Sequence, residues 1–187
     1  MKDDYTPPLW ITFAYTTGGT LMLIPSFLIW ATLLAAHKLK ELDSRISDWC
    51  HRPEQRKAWI LFSRAGDGWL YAGYWFWMRE VGMPGANKLA ASLLIAWGIG
   101  SALKIVVRRK RQNPIHRRGK LLNKLGAWSF PSQHAAVCIA FAYALWPNPG
   151  AILLALLVCC SRVLVGAHYV GDVLAGVVVG LIAGRLA

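Results

Sequence analysis

Residues 125–161 have the sequence LGAWSFPSQHAAVCIAFAYALWPNPGAILLALLVCCS, which contains one histidine and no Asp, Glu, Lys or Arg. Residues 5–36 are equally free of charged side chains, and residues 173–184 form an unbroken run of apolar residues and glycine. The whole chain has 187 residues, of which 56% are hydrophobic and 16% charged. A soluble domain of this size does not bury several apolar segments of about 18 residues or more. The sequence therefore predicts an all-α, polytopic membrane protein.

The apolar runs, together with the turn signal at residues 147–150, indicate about six transmembrane helices in one membrane domain of residues 1–187. The predicted spans are Leu9–Ala36, Ala58–Met78, Lys88–Val107, Pro131–Trp146, Ala151–Val165 and His168–Leu186. The second span has the weakest pattern, because two charged residues lie within it.

Fifteen of the 21 Lys and Arg residues lie in two stretches, residues 38–57 and 104–124, which contain most of the connectors between spans one and two and between spans three and four. Because these connectors adjoin membrane spans, we expect a phosphorylated lipid and the bilayer as partners, and we expect no nucleic acid. The first connector also carries apolar residues at helical spacing, namely Leu39, Leu42, Ile46 and Trp49. This pattern predicts an amphipathic helix along the membrane surface, with a solvated loop as the alternative.

Ionisable side chains inside or at the ends of membrane spans are costly and usually functional. Eight residues of this kind are candidates for function: Arg64, Asp67, Lys104, Arg111, His134, Arg162, His168 and Asp172. Successive spans alternate in direction, so the end of the third, the start of the fourth, the end of the fifth and the start of the sixth share one face. All but Arg64 and Asp67 are therefore expected to converge there, together with Ser132 and Ser161.

The residue types in this set suit the binding and transfer of a phosphoryl group. Three cationic side chains, those of Lys104, Arg111 and Arg162, suit the binding of a group with several anionic oxygens. His168 and Asp172 are spaced i, i+4, as a nucleophile or base and its orienting carboxylate would be on one helix face. A second imidazole, His134, is available to protonate a leaving oxygen. Because no carboxylate cluster suits Mg²⁺ and two histidines with one Asp make a poor zinc site, we expect neither a metal nor another cofactor.

Three sequence elements resemble the signature of the type-2 phosphatidic acid phosphatase superfamily, whose members include lipid phosphate phosphatases and bacterial undecaprenyl-diphosphate phosphatases. These elements are Lys104-x6-Arg111, Pro131-Ser132-Gln133-His134 and Ser161-Arg162-x5-His168-x3-Asp172. Two positions depart from the family pattern. The family usually has proline directly after the arginine of the first element, whereas here Gln112 and Asn113 intervene before Pro114, so that Arg108 or Arg109 could replace Arg111. In the second element, Gln133 stands where the family usually has glycine.

The resemblance implies a role for each matched residue. His168 would attack phosphorus and form a phosphohistidine, Asp172 would orient it, and His134 would protonate the departing group. The phosphoryl oxygens would be held by Lys104, Arg111, Ser132, Arg162 and the backbone N–H of Gln133. Additional candidates are Arg108, Ser161, Arg64 and Asp67, the last two either pairing with each other or lining the cavity.

We therefore expect an integral-membrane phosphatase acting on a lipid monoester or diphosphate, of the undecaprenyl diphosphate, phosphatidylglycerol phosphate or phosphatidic acid class. Two alternatives are a phosphotransferase of the same fold and a non-catalytic protein that binds anionic lipids. The expected location is a bacterial inner membrane. The excess of basic residues on the catalytic face favours a cytoplasmic location for that face, whereas the family resemblance favours a periplasmic one. The oligomeric state stays open.

Overall fold

The structure, a computed structural model, describes residues 38–111 and 127–187. These residues form helices and turns, with one isolated bridge between Lys110 and Trp128. Helix α1 covers residues 38–50, and a 3₁₀ helix, Pro53–Gln55, follows it. The later helices are α2 (Arg56–Arg64), α3 (Gly68–Glu80), α4 (Ala86–Val107), α5 (Gln133–Ala144), α6 (Pro149–Leu164) and α7 (Val170–Leu186). The all-α prediction is confirmed for the described residues, and the first predicted span lies outside them.

The chain divides into two compact units, Met1–Leu42 and Asp43–Ala187. The second unit contains α2 to α7 together with the C-terminal part of α1. In the first unit only residues 38–42 are described, and they are helical. A single domain over residues 1–187 stays a prediction.

The centre of the second unit is a three-helix packing of α4, α5 and α7. Gly176, Gly180 and Gly184 recur at every fourth residue of α7, where the backbones of α5 and α7 approach closely. A Cβ atom at Gly176 would lie 2.5 Å from the carbonyl oxygen of Ser132, and one at Gly180 would lie 2.6 Å from that of Ala136. Small residues at this spacing are typical of helix packing in membranes, where it allows the backbones to meet. Helix α6 packs on α5, and α2 packs on α6.

Many outward side chains of this bundle are apolar, as on helices that span a membrane. Leu94 of α4 is 70% exposed, Leu153 of α6 is 58% exposed and Leu174 of α7 is 60% exposed. Among the described helices, α4 alone is both long and apolar enough to cross a membrane by length and composition, whereas α5 and α6 are shorter apolar helices. The number of six spans therefore stays a prediction.

The predicted second span is not one helix. Helix α2 ends at Arg64 and α3 begins at Gly68, so the chain turns at Ala65–Asp67. Gly66 and Gly68 favour a break because glycine is a poor helix former, and Asp67 is of the type preferred at the start of a helix. By contrast, the turn predicted at residues 147–150 is confirmed, since α6 begins at Pro149 with the Asn148 side chain accepting a hydrogen bond from the N–H of Ala151 at 3.1 Å.

Candidate active site

Four helix ends meet at one end of the bundle. The C-terminal end of α4 carries Lys104, whose Nζ donates to the carbonyl oxygen of Trp128 at 2.9 Å. The backbone N–H of Ser132, at the start of α5, donates to the carbonyl oxygen of Asp172, at the start of α7, over 2.9 Å. The carbonyl oxygen of Arg162, near the end of α6, accepts from the N–H of His168 at 3.1 Å. The sequence elements singled out above thus lie next to one another.

His168 lies in the turn between α6 and α7 with only 1% of its surface exposed. Its Nε2 is 3.2 Å from Nη1 of Arg111. Because a guanidinium can only donate, Nε2 is the unprotonated nitrogen and Nδ1 carries the proton. Burial and the charges of Arg162, Arg111 and Lys104 hold the pKa of His168 well below its usual range. The imidazole is therefore neutral, with the lone pair of Nε2 directed at a cation.

The contact between His168 and Asp172 differs from the expected direct pairing. Nδ1 of His168 lies 3.6 Å from Oδ2 of Asp172, beyond a normal hydrogen bond. The hydroxyl of Ser129 connects the two residues, since its oxygen is 3.4 Å from Nδ1 and it donates to Oδ2 in a short hydrogen bond. Sequence reasoning missed Ser129, although it lies only two residues before the Pro131 element.

Arg109 contacts Asp172 from the opposite side. Its Nη1 is 2.9 Å from Oδ1 of Asp172, its Nη2 is 2.7 Å from Oδ2 of Asp43, and its guanidinium lies 3.9 Å from the ring centre of Tyr169. Arg108, by contrast, is exposed, and its Nε donates to the carbonyl oxygen of Ile105 at 2.8 Å. Of the three neighbouring arginines, Arg111 therefore contacts the histidine and Arg109 the carboxylate.

Helix α1 supports the start of α7. Oδ1 of Asp43 accepts from the N–H of Gly171 at 2.8 Å, and Oγ of Ser47 accepts from the N–H of Val170 at 2.9 Å. These bonds satisfy two of the N–H groups that a helix leaves unpaired at its start. Ile46 and Trp49 of the same helix are 42% and 74% exposed. The predicted helix is thus present, and its position along a membrane surface stays a prediction.

The remaining phosphate-binding candidates are mostly buried. Lys104 and Arg162 are 4% and 8% exposed, and Nε of Arg162 has no hydrogen-bond partner among the described residues. Ser132 is fully buried, and its Oγ accepts from the N–H of Ala135. The Gln133 side chain turns towards α4, where its Nε2 donates to backbone carbonyl oxygens at 3.3 and 3.4 Å. The hydroxyl of Ser161 is bound within its own helix, where it donates to the carbonyl oxygen of Val158 at 2.6 Å.

The end of α2 and the turn that follows it contact two of the predicted residues. Nε2 of His134 lies 3.1 Å from Oδ1 of Asp67, and Nη1 of Arg162 donates to the hydroxyl of Ser63 in a short hydrogen bond. Arg64 is exposed at the end of α2. In residues 38–111 and 127–187, no three His, Cys, Asp or Glu side chains form a cluster that could hold a metal ion.

Comparison with known proteins identifies the family of the chain that carries this histidine and cation site. Residues 85–187 match the family model of the PAP2 superfamily. A relative from Escherichia coli (strain K12), named "Putative undecaprenyl-diphosphatase YbjG", is 30% identical over 121 residues, and the match covers 58% of this chain and 58% of that protein.

Two crystal structures have a similar fold. Aquifex aeolicus LpxE has a TM-score of 0.63 at 20% identity, over 78% of this chain and 92% of that one. A transmembrane PAP2-type phosphatidylglycerolphosphate phosphatase from Bacillus subtilis has a TM-score of 0.61 at 23% identity, over 89% and 92%. The chain is a membrane protein with the PAP2 fold. It belongs to the PAP2 superfamily, which confirms the resemblance found in its three sequence elements.

Proposed function

We propose that this protein is an integral-membrane lipid phosphatase that acts through a phosphohistidine on His168. One observation carries the proposal: a buried, neutral imidazole whose Nε2 faces Arg111 at 3.2 Å while its Nδ1 faces Ser129 and Asp172. A nucleophile needs an unprotonated nitrogen and an orienting group behind it, and this arrangement provides both.

The reaction has two steps. In the first, Nε2 of His168 bonds to the terminal phosphorus, the bond from that phosphorus to the oxygen of the departing lipid alcohol or lipid phosphate breaks, and His134 gives that oxygen a proton. In the second, water attacks the phosphohistidine, His134 takes the proton of the water, and inorganic phosphate leaves as Nε2 is restored. Lys104, Arg111 and Arg162 neutralise the charge on the phosphoryl oxygens in both steps, which is the main demand of phosphoryl transfer. Because protein cations supply this charge, the proposed reaction needs no metal ion.

The substrate is a phosphorylated membrane lipid. Ile105, Val106 and Val107, in the last turn of α4 beside the site, are exposed apolar residues between 46% and 77% exposed. A lipid chain can lie along this turn while its phosphate meets the buried cations. The names of the relatives support undecaprenyl diphosphate and phosphatidylglycerol phosphate as the first lipids to test.

We place the protein in a bacterial inner membrane as a multi-pass protein. The catalytic face can be assigned by introducing a single cysteine at the exposed Arg108 in a background without the native cysteines. Labelling of Arg108→Cys in intact spheroplasts by a membrane-impermeant maleimide indicates a periplasmic face, and labelling only after lysis indicates a cytoplasmic one.

The activity is tested with purified protein in detergent with EDTA. Phosphate release is compared between wild type and His168→Ala on undecaprenyl diphosphate, phosphatidic acid and phosphatidylglycerol phosphate. We expect release from at least one lipid, a loss of about 10³-fold or more in the variant, and an acid-labile phosphoprotein when the labelled lipid is quenched early. A variant as active as wild type refutes His168 as the nucleophile, and inactivity of wild type on all three lipids refutes the phosphatase.

A further inference from the structure

Asp67 is the N-cap residue of α3, a position where an Asp side chain ordinarily accepts a hydrogen bond from a backbone N–H in the first turn of the helix. Its backbone is extended, as that position requires, yet its side chain makes no such capping bond. Instead, Oδ1 lies 3.1 Å from Nε2 of His134 on α5. The carboxylate thus forgoes the local stabilisation that explains most aspartates at this position, and it contacts an imidazole from a distant part of the chain.

The neighbouring backbone is also shaped around this imidazole. A Cβ atom at Gly66 would lie 2.9 Å from Cδ2 of His134 and 2.7 Å from Cγ1 of Val158, so only glycine allows the turn to approach so closely. The side chains of His134 and Asp67 keep 27% and 29% of their surface exposed. The pair is therefore packed in place and still open to an incoming group.

From this geometry we infer that Asp67 is a positioning residue for His134, holding the imidazole in the orientation and charge state in which it gives a proton to the leaving oxygen. The inference rests on the proposed function. It goes beyond the family match, because the matched segment begins at residue 85 and the turn that carries Asp67 precedes it.

The chemistry follows from which nitrogen the carboxylate holds. The proton on Nε2 points to Asp67, so that the proton delivered to the substrate is the one on Nδ1. The negative carboxylate stabilises the doubly protonated ring before the transfer. When the P–O bond breaks, its electron pair goes to the lipid oxygen, which takes the Nδ1 proton and leaves as the alcohol. The neutral ring keeps its Nε2–H bond to Asp67 and is then a base for water.

The test compares two phosphates that differ in how much their leaving group needs a proton. The alkoxide of dodecyl phosphate must be protonated as it leaves, whereas p-nitrophenolate leaves readily without a proton. The quantity measured is kcat/KM, which covers the steps up to departure of the leaving group. The variant is Asp67→Asn, which keeps the size of the side chain and removes its charge. The control is Glu80→Gln, the same change at the exposed far end of α3.

We expect Asp67→Asn to lower kcat/KM for dodecyl phosphate by about 10²-fold, at the lower end of what general acid catalysis contributes. For p-nitrophenyl phosphate the loss should stay within about threefold, because that step does not need the acid. Asp67→Glu should recover part of the activity on dodecyl phosphate, and Glu80→Gln should match wild type on both.

Equal losses on the two phosphates would show that Asp67 only maintains the structure, and no loss on either would show that it does not act on His134. Either result overturns the inference while the phosphatase activity of wild type stands. If His168→Ala is as active as wild type, the proposed function itself fails, and the role of His134 fails with it.

Discussion

Replacing Gly176 by alanine tests whether close contact between α5 and α7 sets the geometry of the site. Gly176 lies one helical turn after Asp172. A Cβ atom at this position would lie 2.5 Å from the carbonyl oxygen of Ser132 and 2.8 Å from the Cβ of Ala135. Neither neighbour is the end of a flexible side chain, so the two helices must separate to accommodate the methyl group.

The size of the effect follows from these distances. Ordinary contact begins at 3.4 Å, so the contact of 2.5 Å requires a separation of about 0.9 Å. Overpacking of this kind typically costs about 1–3 kcal/mol of stability. The hydrogen bond from the N–H of Ser132 to the carbonyl oxygen of Asp172, 2.9 Å long, joins the same two helices at the site. A misplacement of about 1 Å can lower a rate about 10²-fold, so we expect a loss of about ten- to a hundredfold in kcat/KM.

The measurement pairs thermal unfolding in detergent with phosphate release from the best lipid substrate. The matched control is Gly98→Ala in α4, where no atom lies within 4 Å of the added Cβ. In a helix this change should stabilise the protein by about 0.5–1 kcal/mol and leave activity unchanged. If Gly176→Ala behaves like Gly98→Ala in both assays, close packing of α7 on α5 does not position the site.

Three further changes address the contacts around the nucleophile. Ser129→Ala removes the hydroxyl between His168 and Asp172. We expect kcat to fall about tenfold or more with KM nearly unchanged. A kcat equal to that of wild type in steady-state kinetics would refute a role of Ser129 in connecting the two residues. Asp43→Asn leaves Arg109 with one carboxylate partner instead of two, which should cost about 1–3 kcal/mol in thermal unfolding, and unchanged stability would contradict this. Burial lowers the pKa of His168 in the folded protein, so the unfolded chain takes up a proton at this residue more readily. The free energy of unfolding should therefore fall as the pH drops from about 7 to about 5. An equally steep fall in His168→Ala would exclude His168 as its source.

The meeting of helix ends was predictable from the sequence because it depends only on the alternating direction of successive helices. A chain that crosses a bilayer and returns must bring the end of one helix beside the start of the next. Lys104, Ser132, Arg162 and Asp172 could therefore be assigned to one end of the bundle without any distance. The motif spacing then identified His168 as the nucleophile candidate, which the structure places between Arg111 and Ser129.

The contacts that position these residues were harder to predict, because they join distant parts of the chain through ordinary residue types. Ser129 and Asp43 have no distinguishing pattern, and Asp43 reaches the start of α7 only because α1 packs there. Gln133 illustrates a different difficulty. Only its backbone N–H was assigned to the phosphate, and the sequence did not indicate that its side chain would turn towards α4, where backbone carbonyl oxygens accept its hydrogen bonds.

The break between α2 and α3 lies before the segment that matches the family model, yet it contacts residues of that segment. An interrupted helix loses hydrogen bonds that a continuous one would make, so the turn at Ala65–Asp67 is unfavourable by itself. Nevertheless, Ser63 in the last turn of α2 contacts Arg162, and Asp67 after it contacts His134. Residues 85–187 contain the proposed nucleophile, the proposed acid and the buried cations, and the preceding segment contacts two of these groups. A protein reduced to the matched segment should therefore retain its motif residues and lose most of its activity.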